Sequence, residues 1–140
     1  MSKILKIGLP LLIVGGLFAF KFMLPKGPLD IHSAPTELTI NAGSLYNAFE
    51  SDETAANGVY AGKVIEVSGA LSAITQDDAG HYILNLTADS PMGQIVCNLS
   101  PNEPRPSTFT VIGQMVTVKG VCTGYLFDVV LDNATIILNN

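Results

Sequence analysis

Positive charge is what this chain lacks along most of its length. Of its seven Lys and Arg, four (Lys3, Lys6, Lys21 and Lys26) precede the first acid, Asp30. From Asp30 onward Lys63, Arg105 and Lys119 stand against all twelve Asp and Glu, a net charge of −9. A surface that acidic repels phosphate backbones on average, so a nucleic-acid partner would need a local groove unlike the mean. Tryptophan is absent, and there are two cysteines and two histidines. His32 and His81 lie far apart and belong to no metal-ligand spacing. Asp77, Asp78 and Gly80 lack the further oxygen ligands of a calcium loop and read as a turn. No serine sits in a Gly-x-Ser-x-Gly elbow, and no glycine loop is built to cradle phosphate. A protein without catalytic residues, metal or cofactor is expected.

What is present begins with hydrocarbon. Ile4 to Leu24 is a run of 21 residues interrupted only by Lys6 and Lys21. As a helix it spans roughly 31 Å, enough for a bilayer core if both lysines reach the headgroups. Residues 1–25 therefore read as an uncleaved membrane anchor. The rival is a cleaved signal peptide, against which Phe18, Phe20, Lys21 and Phe22 occupy the positions where a small-x-small site would fall. No cysteine follows to accept a lipid. Two lysines precede the apolar core and two follow it, so only the α-amino group tips the balance to the N-in orientation, which puts a single-pass protein's main domain outside the cytoplasm.

Residues 26–37, rich in Pro and Gly, read as a tether, and residues 38–140 as one domain. Asn41 is a helix cap with Leu45, Ala48 and Phe49 on one face after it, and Asn57-Gly58 is a fitting stop. Five strands are expected: Lys63 to Ile74, bent at Gly69; His81 to Thr87; Gln94 to Leu99; Met115 to Cys122; and Phe127 to Leu138, with a bulge at Asp132-Asn133. A turn carrying Gly120, Cys122 and Gly124 joins the last two. Five strands with a bent first strand and a long proline-rich link before the fourth match the OB-fold plan, whereas a β-sandwich would want about seven. The expected fold is mainly β: a five-stranded OB-fold barrel with a short capping helix, preceded by a transmembrane helix.

Alternation turns Cys97 and Cys122 to the apolar side. Outside the cytoplasm they would form a disulfide closing about 25 residues; otherwise they are two buried thiols. An OB-fold that binds nucleic acid uses aromatic and basic groups on its second and third strands. Here those strands offer Tyr82 alone. Tyr125 and Phe127, with Leu126 and Asp128, make the last hairpin apolar where a polar turn is usual, so these four and Tyr82 are the candidate binding surface. The partners expected are the membrane, through the N-terminal helix, and an unidentified protein or small ligand; single-stranded oligonucleotide is the alternative.

The stretches SLYNAFESDETAANGVYAGKVIEVSG (Ser44 to Gly69) and VTVKGVCTGYLFDVVL (Val116 to Leu131) resemble the tRNA_anti-like family. The likeness covers about Leu38 to Leu138. It rests on a short helix, a Tyr-x-Gly-Lys-Val strand start and a Lys-Gly-x-Cys-x-Gly segment. It implies an OB-fold behind a membrane or lipoprotein-type N-terminus, typically in bacteria. The chain departs from the family where others tend to have a helical or Lys-rich approach to the fourth strand.

Overall fold

A computed structural model of the protein describes residues 30–103 and 111–137. The chain order is β1 (Leu38–Asn41), α1 (Ala42–Ser51), α2 (Glu53–Tyr60), β2 (Val64–Gln76), β3 (Tyr82–Ser90), β4 (Gly93–Leu99), β5 (Met115–Leu126) and β6 (Asp128–Ile137). The strands run β1-β2-β3-β4-β6-β5, and β2 also pairs with β5. Strands β2 to β6 thus close a five-stranded OB-like barrel. Beyond expectation, β1 adds a sixth strand, parallel to β2 with Leu38 beside Ile65 and Ile40 beside Val67.

One strand can serve two neighbours because β2 bends. Val64 to Ala70 pairs with β5, and Leu71 to Gln76 with β3. Gly69 sits at the change, where a Cβ would lie 2.8 Å from the Ala42 Cβ, too close for any side chain. The missing side chain lets the first turn of α1 enter the bend. The expected bulge is also present: β5 goes from Lys119 to Val121 while β6 goes from Thr135 to Asp132.

Alternation along the strands supplies the core. Ile65, Val67, Leu71, Leu84, Leu86, Ile95, Val118 and Leu131 are fully buried. Each such side chain contributes about 1.5–3 kcal/mol relative to exposure. The barrel opening is covered by α1, which the Asn41 side chain starts by accepting the Ser44 N–H at 2.7 Å. Leu45, Tyr46 and Phe49 follow at helical spacing and are buried. A second helix, α2, has its own cap in Asp52, which accepts the Ala55 N–H at 3.1 Å. It runs through the expected stop at Asn57-Gly58 to Tyr60, whose ring packs 6.0 Å from that of Phe49.

Three expectations are corrected. Gly120 and Cys122 are not in a turn but inside β5, which continues to Leu126. Gly120 is there for closeness, since a Cβ would meet Ala134 Cβ at 3.1 Å. The Cys97–Cys122 bridge does not form, and both thiols are free and buried. Leu131 pairs with Cys97 on one side and Cys122 on the other, so two strand spacings separate the cysteines, roughly 9–10 Å against the ~7 Å limit for a bridge. Finally, residues 30–37 are no free tether. Ile31 and Ala34 are buried against Val64 and Val121, and the Glu37 carboxylate accepts the Val64 N–H at 2.8 Å. The anchor expected over Ile4 to Leu24 lies outside the described residues, among which no helix is long and apolar enough to cross a membrane.

Candidate functional site

The hairpin between β5 and β6 turns on a single residue, Phe127, with Leu126 paired to Asp128. Phe127 has φ +64°, a left-handed conformation costly for a bulky side chain. It is 74% exposed and Leu126 81%. Three contacts hold this geometry. The Tyr46 hydroxyl donates to the Phe127 carbonyl at 2.8 Å, and the Gln94 N–H donates to the Asp128 carboxylate at 2.9 Å. Gly93 lets the β3–β4 turn lie against the tip, because a Cβ there would be 2.2 Å from the Phe127 oxygen.

Burial, the adjacent Tyr125 hydroxyl, Glu50 and Asp128 push the Tyr46 hydroxyl up to about 12. It therefore stays protonated, and a donor, throughout the ordinary pH range. Tyr46 itself is placed by α1, whose buried face directs it under the tip.

The structure divides the sequence-predicted surface. Leu126 and Phe127 form the exposed crown, and Asp128 is turned inward onto Gln94. Tyr125 belongs to the barrel cap: its ring stacks on Phe49 at 5.8 Å and meets Tyr46 edge-on at 5.8 Å. Tyr82 is not part of the site. It pairs with Gln76 at the start of β3, whereas the end of β3 adjoins the tip, so it lies at the opposite end of the barrel. It shares the inward parity of Leu84 and packs against the core. Met92, which sequence reasoning missed, joins the tip. It is 66% exposed in the turn beside Gly93, and a methionine in a Pro-Met-Gly turn was the signal available.

The outward positions of β3 and β4 are Ile83, Asn85, Thr87, Gln94, Val96 and Asn98, with neither cation nor aromatic. Several are engaged locally: Ser72 donates to Gln94 at 3.2 Å and Asn98 to Asp132 at 2.7 Å. A cleft of about 470 Å³ between α1 and the β3–β4 turn carries Glu50 and Asp89 in its walls and no Lys or Arg. It suits a phosphate poorly.

Of the two cations among the described residues, Lys119 is buried. Its Nζ donates to the Ala34 carbonyl. Beside it Thr36 donates to Glu66 at 2.9 Å, Thr135 to Glu103 at 2.8 Å, and His32 lies 3.3 Å from Glu103. Burial pushes both the Cys97 and Cys122 thiols up, so they stay neutral and unreactive. Among the described residues no group of His, Cys, Asp and Glu could hold a metal ion.

Comparison with known proteins agrees with this architecture. The barrel is similar to a crystal structure named as a "putative nucleic acid-binding lipoprotein" from Klebsiella pneumoniae subsp. pneumoniae. The two share 17% identity over 79% of this chain and 99% of that one, with a TM-score of 0.53. At that identity the likeness is one of fold. No curated protein matches. The sequence profile of the tRNA_anti-like family matches residues 1–136, and the chain belongs to that family.

Proposed function

We propose that this protein is a membrane-anchored, extracytoplasmic OB-fold binding module without catalytic activity, and that it engages its partner through the Leu126–Phe127 tip. One observation carries the reading. An aromatic side chain is held in a strained conformation, by Tyr46 and Gly93, in order to face solvent. Strain and exposed hydrocarbon both oppose folding, so a hairpin that keeps both serves something outside the fold. The apolar run Ile4 to Leu24 supplies the anchor, and the acidic domain suits a role away from nucleic acid.

The test is Ser33→Cys, an exposed position in the segment that leads to the barrel. Intact cells would be treated with a membrane-impermeant thiol reagent. The variant is expected to label at once and the wild type not at all, since Cys97 and Cys122 are buried until the protein is denatured. Labelling of the variant only after lysis would put the domain inside.

A second reading, single-stranded oligonucleotide binding, is favoured by the name of the similar Klebsiella protein. It requires affinity that falls steeply with salt. Absence of binding at low salt removes it.

A further inference from the structure

Leu126 and Phe127 form the exposed tip, and the Gly93 backbone, next in the chain to the exposed Met92, abuts the Phe127 carbonyl. The one carboxylate at the hairpin's own turn, Asp128, is held against the barrel by accepting the Gln94 N–H. Chain length argues for the occupant. Five residues, Pro25 to Leu29, separate the apolar run from the first described residue, Asp30, and they reach at most ~18 Å. The turn at Asp30–Ala34 sits on β5 at Val121. Leu126 is five residues further along the same strand, roughly 17 Å. The linker holds the barrel no farther from the bilayer than the tip can reach back.

We propose that Met92, Leu126 and Phe127 are a lipid-contacting tip, inserted into the interface of the bilayer that holds the N-terminal segment. The inference rests on the anchored reading above and names the partner of that tip. With a net charge of −9 after residue 29, the barrel is not drawn to anionic headgroups, and what attracts it is apolar insertion. Three side chains bind weakly by themselves, and the covalent tether supplies the high local concentration that makes the contact persistent.

The absence of tryptophan makes the test clean. The full chain carrying Phe127→Trp would be reconstituted into phosphatidylcholine vesicles with bromine atoms at shallow positions on the acyl chains. Leu126→Trp is the second variant, and Asp78→Trp, in the exposed β2–β3 turn, is the control. At either tip position the emission is expected to shift to the blue and to lose more than half its intensity to the bromines, while the control emits as in water. Replacing part of the phosphatidylcholine by phosphatidylglycerol should reduce the quenching. Vesicle-bound protein whose tip tryptophans remain unquenched overturns the inference and leaves the anchor intact. A blue shift without quenching that grows with protein density overturns it in favour of contact between copies. Protein that fails to float with vesicles overturns the anchored reading as well.

Discussion

On β5, Lys119 is covered by the Asp30–Glu37 segment, and seven residues along the same strand Leu126 stands in water. The two regions invert the usual arrangement. Burying the ammonium costs desolvation, which the Ala34 carbonyl offsets. Exposing Leu126 and Phe127 forgoes the gain of burial, with nothing in the barrel to offset it. The covered region therefore acts in folding, closing a polar seam where β2, β5 and β6 meet. The tip does little for folding, which is why its cost has to be explained by a partner.

The sharpest way to break this comparison is Lys119→Ala. It removes the cation, leaves the Ala34 carbonyl without its donor and opens space under the segment. A loss of about 2–3 kcal/mol is expected from urea unfolding, with earlier proteolysis between residues 30 and 37. Lys119→Met keeps most of the stem and should recover the packing part of that loss. Leu126→Ser, by contrast, should change stability by no more than about 0.5 kcal/mol. Equal losses at the two positions would mean that the tip is structural after all.

Next in size, and opposite in sign, is Phe127→Gly. Glycine adopts φ +64° without penalty, and the ring it removes is exposed. The variant should gain about 1 kcal/mol of stability while losing whatever contact the tip makes. Gain of stability with loss of contact is the pattern of a strained functional site. A destabilised variant would show that the ring packs usefully in the fold.

The barrel strands were legible because period-two alternation marks them, and Gly69 was legible because a long β-branched run with one glycine inside it must bend. Other features carry no local mark. Gly120 and Gly124 look like turn residues, yet Gly120 serves the close approach of Ala134, and the true turn falls on Phe127, which no turn preference would select. Alternation put Cys97 and Cys122 on one side of the sheet but cannot say that the Leu131 strand lies between them. Ile31 and Ala34 are too few apolar residues, among prolines, to announce that a tether packs down. Strand β1 is four residues long, and its two core-facing residues, Leu38 and Ile40, are too short a pattern to announce a strand. Tyr46 and Gly93, which hold the tip, become meaningful only when strands distant in sequence meet.

The smallest expected effect lies at the far end of the barrel, where the turn resembling a calcium loop proves to be organised by one carboxylate. Asp77 accepts the backbone N–H groups of His81 and Ala79, each at 2.9 Å, and lies 3.4 Å from the His81 imidazole. The His81 N–H above all, then that of Ala79, holds its carboxyl below the usual value. Because the folded value is the lower one, the stabilisation is present above the ordinary pKa of about 3.9. It is lost as pH falls through the folded value. Asp77→Ala should therefore unfold slightly more easily than wild type at pH 7, with faster exchange of the Ala79 and His81 amides, and the gap should close in acid. A gap that persists unchanged to low pH would assign the effect to the shape of the turn and not to its charge.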